Sequence, residues 1–168
     1  KETYFISKRD KYYGLIKDFV YHYDVKLFEN FIEQGKESNS QRLKAKFYQE
    51  AESIYQNDFL VDDLKQEWII DERERLEQLY LEILEFLMKY RYQMEDYEQV
   101  IKLADQILNK NRYIEPAYLY KIMSYDQLDK RAIAITIYES CEKILNQELD
   151  INPNSKLKKY YKYLKISD

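Results

Sequence analysis

Glycine and proline are almost absent from this chain, and their scarcity constrains the fold more than any other feature. The 168 residues include only Gly14, Gly35, Pro116 and Pro153. Turn-rich β-sandwiches and barrels need many more chain-reversing residues. Rossmann and P-loop enzymes need glycine in the loops that cradle phosphates. The sequence therefore disfavours these folds and predicts an all-α protein.

The bulk composition is that of a compact domain with a polar surface. Hydrophobic residues make up 45% and charged residues 35% of the chain, so a core can form. A formal net charge of −4 is too close to neutral to indicate that the chain as a whole binds nucleic acid or a membrane. No apolar run approaches the roughly 18 residues that span a bilayer, and no signal peptide is visible. We therefore expect a cytoplasmic protein with no membrane contact.

The residues that most often carry chemistry are scarce. Cys141 is the sole cysteine and His22 the sole histidine. Cys141 stands at an apolar position of a predicted helix, so a buried, inert thiol is favoured over a nucleophile. Acidic pairs such as Asp62-Asp63 could hold a cation, but helix capping explains them better. The sequence predicts no catalytic residue, no metal site and no cofactor.

Nineteen tyrosines are far more than average usage supplies. Two interpretations remain open. The tyrosines could form a surface on which a peptide or base stacks, or they could fill seams between helices with their hydroxyl groups at the rim. The second interpretation is favoured.

The first twenty residues differ from the rest of the chain. Thr3 to Ile6 is β-branched and aromatic, residues 7–11 are polar, and Tyr12 to Ile16 is largely apolar again. This pattern predicts two short strands around a charged turn. An isolated two-stranded hairpin is barely stable, so it should either dock on the helices or belong to a neighbouring domain.

The apolar spacing becomes helical from Asp24, which is a good N-cap, and Gly35 is predicted to lie just past the end of the first helix. Ser38 or Ser40 should cap a second helix. Its predicted apolar stripe consists of Leu43, Phe47, Ala51, Ile54 and Tyr55. A long third helix should begin at Asp62 or Asp63 and end near Gln93. Further helices are predicted at 97–110, 114–128, 131–148 and 155–165, with Pro116 in a first turn.

An internal repeat with a period of 34 residues relates the later helices. The offset pairs the following residues: Tyr80 with Ile114, Leu84 with Tyr118, Met88 with Ile122, Val100 with Ala134, Ala104 with Tyr138, and Ile107 with Cys141. A period of 34 with small or aliphatic residues at the helix crossing is typical of tetratricopeptide (TPR) repeats. The repeat predicts a stack of TPR-like helical hairpins, with about seven helices in the chain.

Several segments between residues 24 and 165 match one known family in residue type and order. They are Asp24-Val25 with Phe28, Ala51 to Tyr55, Asp58-Phe59-Leu60, Trp68 with Glu72-Arg73 and Leu76, Tyr80, Asp96-Tyr97-Glu98 with Ile101, Ala134, Tyr138, and Leu149 to Pro153. Together they resemble the bacterial transcriptional activator domain, the helical C-terminal module of regulators of antibiotic pathways. The resemblance covers about residues 24–165 and implies a right-handed stack of TPR-like helical hairpins. We expect residues 21–168 to form that domain.

The resemblance implies an N-terminal winged-helix DNA-binding domain that precedes the helical module. Residues 1–20 would then be the C-terminal wing of that domain, in truncated form. Lys8, Arg9 and Lys11 would lie at the wing tip, where they could contact the DNA backbone. A solvated charged turn is the favoured alternative for this part of the chain taken alone.

The TPR-like register predicts a partner-binding groove on the first helix of each hairpin. The residues placed there are Glu82, Glu85, Lys89, Tyr92, Leu119, Met123 and Gln127. A surface of this kind suits a peptide or a partner helix. Equally, these side chains could be merely exposed, or covered by the last helix. That helix carries five lysines between 156 and 165; contact with DNA or polymerase is one interpretation, and a cap with its lysines outward is favoured.

The predicted function is a non-enzymatic regulatory and oligomerisation module of a bacterial DNA-binding regulator. Its partners would be a second copy or the transcription machinery, with DNA bound through the winged-helix domain. The alternative is a generic TPR scaffold that binds a peptide or protein and has no role at DNA.

Overall fold

The computed structural model describes residues 6–9, 12–15, 24–55 and 67–166. In the described ranges 24–55 and 67–166, every regular element is a helix. The seven helices are α1 (Asp24–Glu37), α2 (Gln41–Ile54), α3 (Glu67–Gln93), α4 (Tyr97–Lys110), α5 (Glu115–Gln127), α6 (Arg131–Leu149) and α7 (Ser155–Ile166). The all-α prediction is confirmed. The predicted start of the third helix at Asp62 or Asp63 lies outside the described residues, and its predicted end at Gln93 is confirmed.

Two four-residue strands precede the helices. Strand β1 (Ile6–Arg9) pairs antiparallel with β2 (Tyr12–Leu15), so that Ile6 lies opposite Leu15. The side chains of both strands, and the whole of Lys11, lie outside the described residues. The assignment of Lys8, Arg9 and Lys11 to a DNA-contacting wing therefore stays a prediction.

Helices α1 and α2 form the first hairpin, and here two expectations were wrong. Gly35 lies inside α1 rather than after it, and it is buried. The reason is steric: a Cβ at this position would overlap the ring of Tyr48 in α2. On α2, the buried side chains are Ala45, Tyr48 and Ala51, whereas Leu43 is 51% exposed. The cap is as predicted, since the Ser40 hydroxyl accepts from the Leu43 amide at 3.4 Å.

Successive hairpins α1–α2, α3–α4 and α5–α6 pack one on the next, and α7 packs on α5 and α6. Two clusters of buried side chains form the core. The first cluster is formed by side chains of α1, α2, α3 and α4 together with Ala117 of α5. The second cluster is formed by side chains of α5, α6 and α7. The repeat explains where the core lies, because both members of pairs such as Val100 and Ala134 are buried at the helix crossings. The TPR-like expectation is thereby supported at the level of packing.

Acidic residues make the turns for which this chain lacks glycine. Glu95 and Asp129 follow α3 and α5 with φ of 59° and 57°, in the left-handed region. At each turn the next amide closes the helix end: Asp96 N–H donates to Arg91 O at 3.0 Å, and Lys130 N–H donates to Tyr125 O at 2.8 Å. The two turns are 34 residues apart, so the repeat extends to the backbone.

Helix α7 closes the stack as a cap, as the favoured interpretation predicts. Leu157 and Leu164 are fully buried, and the outward half of the helix carries the lysines. Arg131, at the start of α6, donates from Nε to the carbonyl of Leu164 at 2.7 Å, so it satisfies the C-terminal end of α7. The Tyr161 ring stacks on Tyr138 of α6 with 4.0 Å between centroids.

Candidate partner-binding groove

Helices α3 and α5 are the first helices of successive hairpins, α7 is the capping helix, and the three lie side by side. Contacts join α3 to α5 and α5 to α7. We call the surface that these three helices share the groove. The sequence-predicted residues lie on α3, which forms one wall, and on α5, which forms the base. Helix α7 forms the other wall; the sequence analysis had named this helix as one that could cover the predicted residues.

The α3 wall is charged. Lys89 Nζ lies 2.6 Å from Glu85 Oε1, with the two side chains 48% and 38% exposed. Glu82 is exposed on the same face. Burial raises the pKa of the Tyr48 hydroxyl on α2, and the negative charge of Glu82 raises that pKa further. An exposed pair of this kind contributes about 0.3–0.5 kcal/mol, so this wall is a polar surface rather than a structural contact.

Tyr92 is the point at which α3 meets the next hairpin. Its ring packs edge-on against Tyr97 of α4 at 5.6 Å and against Tyr120 of α5 at 5.3 Å between centroids. Burial raises the pKa of the Tyr92 hydroxyl, and Tyr97, Tyr120 and Asp126 raise it further. Tyr92 therefore stays neutral and offers a half-buried aromatic face with a polar tip.

The α5 residues lie along the base of the groove. At 100° per residue, Met123 is located between Tyr120, which contacts α3, and Asp126, which contacts α7. Met123 is half-buried and Gln127 is exposed. Leu119 is half-buried and packs against the second core cluster. An unbranched, polarizable Met at the base gives the surface the adaptability that peptide-binding grooves use.

The α7 wall is joined to the base by a hydrogen bond between side chains. The Tyr160 hydroxyl donates to Asp126 Oδ2 at 2.7 Å, and this contact is partly buried. Burial raises the pKa of Tyr160 well above its usual value, and the hydrogen bond to Asp126 raises it further. Tyr163 lies beside Tyr160 at 5.5 Å and is 52% exposed, so the aromatic surface continues outward.

The structure places the seven sequence-predicted residues on the intended helices. Among those seven, the hydrogen bonds, ion pairs and ring contacts of the described chain join only Glu85 with Lys89. The sequence analysis did not place Tyr120, Asp126 and Tyr160 in the groove, although these residues make the contacts between helices. Asp126 had a usable signal, because it stands 34 residues after Tyr92. The groove assignment itself stays a prediction.

The remaining candidates for chemistry are also accounted for. Burial raises the pKa of Cys141 to about 12, with Glu115 and Glu142 adding to the effect, so its thiol is protonated near neutral pH. His22 lies outside the described residues. In the part of the chain that the structure describes, no group of three or more His, Cys, Asp or Glu side chains is arranged to hold a metal ion. None of the described helices is both long and apolar enough to cross a membrane.

Comparisons with known proteins give one family and one related fold. The family model described as "Bacterial transcriptional activator domain" matches residues 23–165. No curated protein matches the chain. Among solved structures, the chain is similar to the C-terminal TPR-containing domain of a Plasmodium falciparum protein described as an FK506-binding protein. The TM-score is 0.59 at 15% identity, over 88% of this chain and 91% of that one. This likeness shows that the fold is TPR-like.

Proposed function

The chain belongs to the bacterial transcriptional activator domain family, and on that premise we propose that it is the regulatory module of a DNA-binding transcription regulator. The observation that carries the proposal is the family match over residues 23–165, which spans all seven described helices. The family is a regulatory one, which supports a non-enzymatic role. The module would act in the cytoplasm by binding protein, either a second copy of the regulator or the transcription machinery.

DNA binding in this proposal belongs to a winged-helix domain at the N-terminal side, with residues 1–20 as its wing and residues 21–168 as the regulatory module. The charge distribution supports this division of labour. Residues 21–149 carry a net negative charge, whereas residues 1–20 and 150–168 are net positive. A negative module is repelled by phosphates and is better suited to protein partners.

We propose the groove as the surface that binds the protein partner. Tyr92, Met123 and Tyr160 present apolar area that is already half-buried, and a bound partner would complete its burial. Tyrosine is enriched where interfaces carry most of their binding energy, because a rigid ring with a polar tip loses little entropy on binding. The exposed charges of α3 would form the polar rim around this centre.

The experiment uses the complete regulator that contains this module. The variant Tyr92→Ala with Met123→Ala should lose transcriptional activation by at least tenfold and lose the partner in a pull-down. It should still shift its target duplex DNA, because the proposed DNA contacts lie outside the module. The matched control is Ile133→Ala with Leu149→Ala, which removes two exposed apolar side chains of α6, 45% and 42% exposed.

Three outcomes decide between the candidates. Loss of activation in the groove variant alone, with DNA binding intact, supports the proposal. A regulator that shifts no DNA, but that still loses a partner in the groove variant, supports the generic TPR scaffold instead. Wild-type activation and wild-type partner binding in the groove variant would rule out the groove. Circular dichroism melts of both variants establish that each one is folded.

A further inference from the structure

A second concave site lies between α2, α3 and α4, and it shares no residue with the groove. It is a cleft of about 210 Å³. Its base consists of two buried leucines, Leu87 of α3 and Leu103 of α4. Its walls consist of polar and charged side chains from all three helices. The residues of these walls are Gln49, Glu52, Arg91, Gln99, Lys102 and Gln106.

The charges of the cleft are divided between helices. The carboxylate, Glu52, belongs to α2, and the two cations, Arg91 and Lys102, belong to α3 and α4. Glu52 is held in place by Gln106, whose Nε2 donates to Glu52 Oε1 at 3.0 Å in a partly buried contact. A carboxylate has about four acceptor sites, so Glu52 can still accept further donors.

Both cations retain donors that a ligand can use. Arg91 Nη1 reaches Asp96 Oδ2 at 3.4 Å, which is a long contact that leaves most of its five N–H donors unused. Lys102 is exposed and has no ion pair within the described parts of the chain. Three glutamine amides add donors and acceptors of no net charge. A surface whose only role was to keep the protein soluble would not need two cations, a positioned carboxylate and a floor of leucines together in one cleft.

We propose that this cleft binds a small acidic zwitterion, an α-amino acid with a second carboxylate, as an effector of the module. One carboxylate would pair with the Arg91 guanidinium, whose planar donors match a carboxylate, and the second with Lys102. The ammonium group would donate to Glu52. The two cations and Glu52 match the two carboxylates and the ammonium group of such a ligand in sign.

The size of the cleft supports a small ligand. Sites for drug-sized molecules have roughly 300–1,000 Å³, so a cleft of about 210 Å³ is matched to a metabolite of amino-acid size. The location gives binding a consequence. Because α2 belongs to the first hairpin while α3 and α4 form the second, a bound ligand fixes the junction between the two hairpins. Any ligand that binds only the folded state also raises the stability of that junction.

Isothermal titration of the chain with L-glutamate and L-aspartate, at about 0.15 M salt, tests the proposal. At least one of the two should bind saturably with one site per chain. Glutarate lacks the ammonium group and L-glutamine lacks the second carboxylate, so both should bind at least tenfold more weakly. Equal binding of glutarate and L-glutamate would overturn the proposal, and so would a lack of saturable binding by either acidic amino acid up to about 1 mM.

Variants assign the binding to this cleft. Lys102→Gln should weaken acidic amino-acid binding at least tenfold while leaving the weak L-glutamine binding unchanged. Glu52→Gln should remove the preference for L-glutamate over glutarate. The control is Lys143→Gln, an exposed lysine of α6. Equal loss in Lys102→Gln and Lys143→Gln would show that nonspecific charge is responsible. The result is independent of the proposed role in transcription, because it requires only the purified chain.

Discussion

Tyrosine rings stack in the seams at both ends of this helical stack, but the two seams differ in what the tyrosine hydroxyl groups contact. In the N-terminal seam, between α1, α2 and α3, Tyr48 packs edge-on against Phe86 at 5.1 Å and Tyr55 stacks on Tyr80 at 4.1 Å between centroids. Among the described residues, the hydroxyl groups of Tyr48 and Tyr80 have no hydrogen-bond partner. The contacts of these rings are with other rings and with lysine ammonium groups, such as Lys44 Nζ at 4.9 Å from the centroid of the Phe86 ring.

In the C-terminal seam, between α5, α6 and α7, the hydroxyl groups of two α7 tyrosines donate to carboxylates. Tyr160 donates to Asp126 at 2.7 Å and Tyr161 donates to Glu139 at 3.1 Å. Hydrogen bonds to charged groups contribute about 1.5–3 kcal/mol each, roughly twice the value of neutral ones. The comparison shows that tyrosine serves two purposes in this chain. In the first seam its ring fills the space between helices, and in the second its hydroxyl group also attaches the capping helix α7 by hydrogen bonds.

The largest expected effect concerns the shape of the N-terminal seam. Gly35→Val should lower the free energy of unfolding by about 3 kcal/mol, because its side chain must displace the Tyr48 ring, which is wedged against Phe86. Urea unfolding measures the change. In a Tyr48→Ala background the same substitution should cost less than about 1 kcal/mol, since the space is then open. Equal costs in the two backgrounds would show that the ring is not the obstacle.

The next effect isolates the polar attachment of the C-terminal seam. Tyr160→Phe should lower the free energy of unfolding by about 1.5 kcal/mol, because the partly buried Asp126 carboxylate loses its donor. Tyr80→Phe is the matched control in the other seam and should change stability by less than about 0.5 kcal/mol, since its hydroxyl has no partner in the described structure. If both variants lose the same stability, the proposed difference between the seams is wrong.

The pH dependence extends the comparison to ionisation. Burial raises the pKa of Tyr80 to about 12, so the folded state favours the neutral phenol. A raised pKa means that this stabilisation is complete below the unfolded value near 10 and is lost as pH rises towards 12. At pH 11 the ionisation of Tyr80 should account for about 1 kcal/mol of lost stability. Tyr80→Phe should therefore unfold at a higher urea concentration than the wild type at pH 11, but not at pH 8.

The sequence predicted the helices well because their signals are local. Apolar spacing, the Ser40 cap and Pro116 in a first turn each depend on a few neighbouring residues. The repeat then predicted which helices occupy equivalent places in the stack, and both members of pairs such as Val100 and Ala134 are buried. Gly35 was misassigned because glycine has two uses, at a helix end and at a close approach between helices. Only the position of Tyr48, thirteen residues away, decides between them.

The site was less predictable than the fold, since its contacts join residues that are distant in the chain. Tyr160 meets Asp126 only because α7 folds back on α5, and no local pattern encodes that return. The cleft is a stronger case. Glu52 and Gln106 lie on helices from different hairpins, and both resemble ordinary surface residues in the sequence. Charge on a helical face becomes a site only through the neighbouring face that encloses it.

The smallest expected effect concerns the turns at Glu95 and Asp129, which have the same backbone geometry although the two seams differ. Asp129 has φ of 57°, which costs an L-residue about 1–2 kcal/mol and costs glycine almost nothing. Asp129→Gly should therefore raise the free energy of unfolding by about 0.5 kcal/mol, after the greater freedom of glycine in the unfolded chain is subtracted. Glu95→Gly, at the equivalent turn after α3, should give the same gain. A gain at Asp129 alone would show that the two turns, although equal in backbone geometry, differ in how their side chains support the helix end.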